Sequence, residues 1–347
     1  MRTAMFCTIA LYASSVQAGL LSWEIKQITA GPAQENGPIV YKEMIAWKDF
    51  RGPQGTDVWG YNLMSQTELP IVQTPGNQVP TALLGNSMLY ETHGDTGSSI
   101  ILRNMLTADE TVIQGGTGSR GGSQMDGNWI VYVEGYATGD LIAYNMATQT
   151  SSIIANDASA PRISDGKIVW NSNIGGGLYG VFGYDLVGDM PFDLGVGQLP
   201  SIYGDTAVWT NNRQILQQNL TTGITSVLYE SLDQDVSYAT MNDRFLAWQQ
   251  SEALFLPEGT QAYAAFQNVW VKDLLSGSVT QLTDYAPQQV SPASVPFLYE
   301  DKIAWMTWTT GNGDIYIAEQ VVPEPSTLCL LLCAALFGLI CNIRRIL

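Results

Sequence analysis

The sequence predicts an all-β protein, a β-propeller of about seven four-stranded blades, on two observations. The first is a repeat: segments such as 161–170 and 200–209 return with a period near 40 residues. Several short strands in a unit of this length are typical of propeller blades. The second is composition, because charged residues are only 14% of the chain and glycines number 34. Such a composition favours short strands joined by many turns.

Each repeat has an aromatic anchor that we expect to close its second strand. A large ring at this point can fill the space between neighbouring blades, so we predict core residues rather than a ligand platform. Six blades remain an alternative, because the second unit lacks a clean third strand. The seven anchors are Trp47, Tyr90, Tyr132, Trp170, Trp209, Trp248 and Trp305.

The clearest repeat predicts four strands, at 160–164, 167–170, 181–186 and a weaker outer strand before Gln198. Asp165-Gly166 between the first two is a strong hairpin signal, because glycine accepts a positive φ. The pairs that we expect at the equivalent turn of other units are Asp126-Gly127, Gly204-Asp205 and Asn242-Asp243.

The two ends of the repeat array complement each other. The last repeat offers a third strand over 314–318 and no fourth strand, whereas 22–29 predicts a strand with no repeat before it. We therefore expect the N-terminal strand to complete the last blade, since closure removes exposed sheet edges.

Three short motifs of these strands resemble the TolB-like family of propellers. They are Ile-Val-Trp at 168–170, Tyr-Asp-Leu at 184–186 and Asp-Ile-Tyr at 314–316. The resemblance extends in degenerate form over most of residues 22–320. Members of that family often have six blades, so a count of seven departs from the family pattern.

The first 18 residues predict a secretory signal peptide. Arg2 precedes an apolar stretch over 4–12, and Val16-Gln17-Ala18 is a small-x-small cleavage site. The predicted ectodomain, 19–320, contains none of the four cysteines. It must therefore be held by a hydrophobic core rather than by disulfides.

The C-terminal segment, 321–347, has three parts in order. Pro323-Glu324-Pro325 comes first, then an apolar stretch that predicts a transmembrane helix over 327–343, then Arg344 and Arg345. The prolines disfavour helix before the apolar stretch, and the two arginines belong on the cytoplasmic side. This arrangement resembles the PEP-CTERM sorting signal of Gram-negative bacteria. A plain C-terminal membrane anchor is the alternative.

The PEP-CTERM resemblance implies an exosortase as processing partner. It also implies a stay in the inner membrane, a final place at the cell surface or in the extracellular matrix, and an exopolysaccharide or biofilm setting. Extracellular polysaccharide or a surface protein is then the expected partner. The formal net charge of −17 argues against nucleic acid, where cationic side chains must neutralise phosphate.

Candidates for catalysis are few, and we predict a binding or structural protein that is not an enzyme. His93 is the only histidine, in a predicted loop over 91–95, and no serine lies in a Gly-x-Ser-x-Gly sequence. We expect no cofactor and no metal, with calcium as a weak alternative through Asp185, Asp189 and Asp193. The alternative function is a carbohydrate-active hydrolase or lyase with carboxylates at the propeller's central opening.

One long segment, 251–267, interrupts a blade between its second and third strands. Long loops of this kind are often functional. Its aromatic residues Phe255, Tyr263 and Phe266 are therefore candidate contacts for a glycan or a protein. A hairpin extension that packs on the ring is an equally good interpretation.

Overall fold

The computed structural model describes residues 22–135, 138–252, 266–285, 295–308 and 312–321. Ile25–Ala318 forms one compact unit, and the two chain ends form a second unit of which only 22–24 and 319–321 are described. All regular elements in the described ranges are β-strands. The predicted all-β class is therefore confirmed.

The first thirteen strands cover the N-terminal half. They are β1 (Ser22–Gln27), β2 (Glu35–Tyr41), β3 (Met44–Asp49), β4 (Asp57–Asn62), β5 (Thr67–Val72), β6 (Asn77–Leu84), β7 (Ser87–Gly94), β8 (Gly97–Asn104), β9 (Glu110–Gln114), β10 (Arg120–Asp126), β11 (Trp129–Gly135), β12 (Gly139–Asn145) and β13 (Thr150–Ser164).

The remaining fourteen cover the C-terminal half. They are β14 (Lys167–Gly175), β15 (Leu178–Asp185), β16 (Met190–Val196), β17 (Gln198–Tyr203), β18 (Thr206–Asn211), β19 (Gln214–Asn219), β20 (Ile224–Glu230), β21 (Asp235–Met241), β22 (Phe245–Glu252), β23 (Phe266–Asp273), β24 (Val279–Gln281), β25 (Phe297–Tyr299), β26 (Lys302–Thr307) and β27 (Asp314–Val321).

Strand pairing divides these strands into seven blades. Five sheets have four strands, and the sixth has seven, from β10 to β16 in order. The seven-stranded sheet is two blades that share β13: Ile153 pairs with Ile142 of β12, and Ile163 pairs with Ile168 of β14. The unit around Tyr90 is a complete blade because β8 supplies its third strand. Numbered along the chain, blades 1 to 7 are β2–β5, β6–β9, β10–β13, β13–β16, β17–β20, β21–β24 and β25–β27 with β1.

The seventh blade brings the two ends of the array together. Its strand order is β1-β27-β26-β25, and the Ile28 amide donates to the Ile315 carbonyl at 2.8 Å. Its inner strands also pack on β2 of blade 1 and on β21 of blade 6. The predicted pairing of the N-terminal strand with the last blade is confirmed.

The aromatic anchors lie in the core between blades, as expected. All seven are at most 6% exposed. Trp209 of blade 5, for example, packs with Val169 and Leu194 of blade 4. The anchors do not close their strands, however. Trp170 lies near the middle of β14, which continues to Gly175, because the residues after the anchor still pair with β15.

The hairpin turns between the first and second strands lie at one end of every blade. Asp165 and Gly166 are the two central residues of their turn, with φ of 48° and 71°. Two predicted turn pairs were wrong by one position. Asp126 ends β10 and pairs with Trp129 across its turn. Asn242 follows the last residue of β21, and its amide donates to the Phe245 carbonyl, so Asp243 and Arg244 are the central residues of that turn.

Several predictions concern residues outside the described ranges. The signal peptide, 1–18, and the transmembrane helix, 327–343, are among them. In the part of the chain that the structure describes, no helix is long and apolar enough to cross a membrane.

Candidate binding site in the central channel

The residues singled out from the sequence fall mostly outside the described ranges. Pro323, Glu324, Pro325, Arg344, Arg345, Phe255 and Tyr263 all do so. Phe266 begins β23, and its backbone pairs with Glu252 of β22. The long segment therefore gives no described site, and the best candidate lies elsewhere.

A cavity of about 470 Å³ occupies the centre of the propeller. The innermost strand of every blade contributes to its wall: β2, β6, β10, β13, β17, β21 and β25. We call this cavity the central channel. Cavities of this size commonly hold small organic ligands.

The innermost strands are irregular where they line the channel. In six of the seven blades the pairing register shifts near the middle of this strand, as between Ser159 and Arg162. The residue at the irregularity has a left-handed backbone in Ala160, Leu199 and Tyr238, with φ between 48° and 55°. Bulges turn the strand and redirect side chains, and they are frequent beside functional sites.

One end of the channel, which we call the mouth, combines tyrosines and carboxylates. It is formed by Tyr41, Tyr203, Tyr299, Asp126, Asp243 and Glu300, at or beside the first hairpin turn of five blades. The Tyr41 and Tyr299 rings lie 4.6 Å apart between centroids. Tyr203 is 45% exposed, so its ring is accessible to a ligand.

Burial and the nearby carboxylates raise the pKa of two mouth phenols. Burial raises the pKa of Tyr203, and the charges of Asp243, Asp165 and Glu300 raise it further. Burial and a hydrogen bond to Glu300 likewise raise the pKa of Tyr299. Both hydroxyls therefore remain hydrogen-bond donors at neutral pH, beside carboxylates that can only accept.

Among the described residues that line the channel, Arg162 of β13 is the one with a cationic side chain. Its Nη1 donates to the Pro161 carbonyl at 2.9 Å. Burial lowers the pKa of its guanidinium, and the nearby Tyr238 phenol opposes this shift. Arginine nonetheless keeps its charge at neutral pH.

A second polar cluster lies on blade 2, around the single histidine. His93 Nδ1 is 2.9 Å from Ser98 Oγ, and His93 Nε2 is 3.1 Å from Glu91 Oε2. The predicted loop is wrong, because β7 continues to Gly94 and pairs His93 with Ser98 of β8. The spacing Glu91-x-His93 could have revealed this, since alternate strand residues share a face.

The Glu91–His93–Ser98 arrangement has the order of a catalytic triad but not its accessibility. Ser98 is 5% exposed and Glu91 is 4% exposed. Glu91 also accepts hydrogen bonds from the Ser123 amide at 2.8 Å and from its hydroxyl at 2.9 Å. Because Ser123 belongs to β10, this cluster connects blades 2 and 3, which accounts for its burial.

The three aspartates considered as calcium ligands each accept hydrogen bonds from different neighbours. Asp185 accepts from the Val187 and Gly188 amides at 2.9 Å, and Asp193 accepts from the Gly195 amide at 3.0 Å. Asp189 accepts from the Tyr184 hydroxyl. Within the described ranges, no group of three His, Cys, Asp or Glu residues is placed to hold a metal ion.

Solved structures share this fold. Oligogalacturonate lyase from Vibrio parahaemolyticus is 14% identical, with a TM-score of 0.61 over 88% of this chain and 97% of that one. The β-propeller domain of the trilobed protease from Pyrococcus furiosus is 10% identical, with a TM-score of 0.62 over 86% and 98%. Puromycin hydrolase is 9% identical, with a TM-score of 0.60 over 86% of this chain and 55% of that one.

These identities show a shared fold and nothing finer. No family model matches the chain, and no curated protein matches it. TolB from Acinetobacter baumannii also matches, but its TM-score of 0.45 is too low to distinguish a TolB-like propeller from other propellers. The propeller part of the predicted resemblance is confirmed.

The prediction that this protein is not an enzyme was wrong as an inference from sequence. It relied on the lack of a recognisable catalytic motif. Oligogalacturonate lyase and puromycin hydrolase are enzymes that contain the same fold, so the propeller is compatible with catalysis. Fold alone does not fix function, and enzymatic activity is therefore possible here.

Proposed function

We propose that this protein is an exported β-propeller of the cell surface or matrix that binds a saccharide at the mouth of its central channel. The observation that carries this proposal is the mouth itself. Accessible tyrosine rings offer flat apolar faces with a polar edge, and Asp126, Asp243 and Glu300 can accept hydrogen bonds from sugar hydroxyls. Extracellular polysaccharide is the partner that suits this chemistry.

Tyr203 provides the test of saccharide binding. The full-length protein in detergent is titrated calorimetrically with the polysaccharide isolated from its native matrix. Tyr203→Ala should weaken binding about tenfold, the usual scale for an aromatic contact. Tyr179→Ala is the control, because Tyr179 is similarly exposed at 39% but lies on β15, away from the channel. Equal binding by wild type, Y203A and Tyr299→Ala would overturn the proposal.

Export and processing are part of the same proposal. The order of Pro323-Glu324-Pro325, apolar stretch and Arg344-Arg345 supports an exosortase substrate held in the inner membrane until cleavage. Mass spectrometry of the mature protein from its native cell tests this. We expect a C-terminus near Pro325; an intact Leu347 in the membrane fraction would leave only a plain anchor.

A carbohydrate-active hydrolase or lyase is the second candidate. It is favoured by Asp126, Asp243 and Glu300, which line one cavity as paired carboxylates do in glycoside cleavage. Incubation with the matrix polysaccharide should then release new reducing ends, or the unsaturated ends of a lyase product. Asp243→Asn and Glu300→Gln should abolish that release. A wild-type protein that binds the polysaccharide and releases neither product would reject this candidate.

A further inference from the structure

The charge of the ligand can be inferred from Arg162. Most described arginines have a carboxylate partner: Arg51 with Asp49, Arg103 with Glu110, Arg120 with Glu134 and Arg244 with Asp273. Arg213 has none, but it lies on the surface. Arg162, by contrast, lines the channel. No described carboxylate oxygen lies within 4.0 Å of its guanidinium nitrogens, the distance limit for an ion pair.

The Arg162 side chain is half-buried, so its guanidinium is partly removed from water. A buried charge is stabilised by an opposite charge and by hydrogen bonds to its remaining donors. Arg162 makes one described hydrogen bond, from Nη1 to the Pro161 carbonyl, and a guanidinium has five N–H donors. The unused donors match the fork geometry that binds a carboxylate through two parallel hydrogen bonds.

The backbone around Arg162 supports a ligand site. Ala160 precedes it by two residues in a left-handed conformation, and the inner strands of the next two blades contain Leu199 and Tyr238 in the same conformation. Non-glycine residues adopt this conformation at an energetic cost, and such residues concentrate at functional sites. The pairing register of β13 with β14 shifts between Ser159 and Arg162, and Arg162 pairs with Val169 after this shift.

The mouth limits how much negative charge can enter. Asp126, Asp243 and Glu300 line the same cavity as Arg162. They accept hydrogen bonds from hydroxyl groups but repel further carboxylates. A ligand with one carboxylate at its inserted end and hydroxyls behind it satisfies both regions, whereas a dense polyanion satisfies only Arg162.

We propose that Arg162 binds the carboxylate of a single acidic sugar, a uronate at the end of a glycan whose neutral part lies against the mouth. This inference rests on the proposed saccharide binding and names its substrate class. Arg162 is thus the residue that selects a charged sugar over its neutral counterpart.

The test compares three small probes on the full-length protein in detergent at low salt. The probes are methyl glucuronide, its methyl ester and methyl glucoside, which share a ring and differ in charge. Wild type should bind the charged sugar about 10- to 100-fold more tightly than the ester, the usual range for a charge-assisted bidentate contact. R162Q should lose that preference, and R162K should keep part of it.

Arg213→Gln is the matched control, because it removes the same charge from the protein surface outside the channel. It should retain the preference for methyl glucuronide. Equal binding of the charged sugar and both neutral probes by wild type would overturn the role of Arg162 and leave saccharide binding intact. Binding of none of the three, and none of the matrix polysaccharide, would reject the proposed function itself. Tighter binding of trigalacturonate than of methyl glucuronide would overturn the limit to one carboxylate.

Discussion

Arg51 and Arg162 show two different uses of a cation in one propeller. Arg51 Nε donates to Asp49 Oδ1 at 2.8 Å, and its Nη1 pairs with Glu68 at 2.5 Å. Its guanidinium also covers the Trp59 ring at 4.0 Å. Arg162 bonds only to the Pro161 carbonyl among described atoms. The charge of Arg51 is neutralised by carboxylates of blade 1, whereas the charge of Arg162 is left available to a ligand.

Two carboxylates beside Arg51, those of Asp49 and Glu35, are fully buried, and each accepts a hydrogen bond from a neighbouring side chain. Asp49 is fully buried and accepts from the Trp47 indole at 3.1 Å as well as from Arg51. Glu35, also fully buried, accepts from Thr29 Oγ1 at 3.2 Å. Thr29 Oγ1 in turn accepts from the Ile315 amide at 2.8 Å. This cluster therefore connects blade 1 to the closing blade 7.

The largest effect on stability is expected from Asp49→Asn. Both carboxylate oxygens of Asp49 accept hydrogen bonds, one from the Trp47 indole and one from Arg51. In asparagine an NH₂ group replaces one of these oxygens, so one of the two donors would face another donor. The substitution also removes the negative charge nearest to Arg51. We expect a loss of about 3 kcal/mol in the free energy of unfolding, measured in urea. Asp109→Asn, at an exposed aspartate, should change it by less than about 0.5 kcal/mol. A D49N protein as stable as wild type would mean that this cluster does not hold the blade.

The next effect depends on pH and concerns Glu35. Burial, followed by the charge of Asp49, raises its pKa from 4.5 to about 7. The folded protein thus binds a proton that the unfolded chain releases, so the contribution of Glu35 to stability is present below pH 4.5 and is lost as pH rises through about 7.

Glu35→Gln should remove this dependence. Between pH 5 and pH 8 the free energy of unfolding of E35Q should rise relative to wild type by roughly 2 kcal/mol. Glu68→Gln, which removes a half-exposed partner of the same Arg51, serves as the control and should show no such change. Parallel pH profiles for E35Q and wild type would contradict the shifted pKa.

The smallest effect is expected from Arg162→Gln. Because Arg162 has one described hydrogen bond and no described ion pair, its loss should change the free energy of unfolding by less than about 1 kcal/mol. Arg51→Gln should lose roughly 3 kcal/mol, because it leaves Asp49 and Glu35 buried without a counter-charge. If R162Q were as destabilised as R51Q, Arg162 would belong to the scaffold and the comparison of the two arginines would fail.

Much of the fold could be predicted because its signals are local and repeated. The Trp170 and Trp209 units show the repeat directly, and Asp165-Gly166 marks a turn whose geometry requires positive φ. The N-terminal strand could be assigned because the last repeat lacked its fourth strand. The union of two blades through β13 could not, since Asn156 and Asp157 look like a turn between two strands and instead lie within one.

The central opening was expected as a site of the alternative function, but the residues that line it could not be predicted, for a different reason. The left-handed residues Leu199 and Tyr238 are types that rarely adopt this conformation, so no sequence pattern marks them. Arg162 stands out only in the three-dimensional structure, because the distance from its guanidinium to each described carboxylate depends on how other blades are placed. Sequence alone therefore pointed to the aromatic residues of segment 251–267 rather than to Arg162.

Strand β13 has a consequence for how the propeller comes apart. Blades 3 and 4 belong to one sheet, because Ala158 of β13 pairs with Gly139 on one side and with Ser172 on the other, whereas the other described blades form separate sheets. Detachment of β13 must break hydrogen bonds of both blades. Their amides should therefore exchange with solvent as a single cooperative unit, and a partial opening of the ring would begin at another junction. Arg162 lies on the strand that these two blades share.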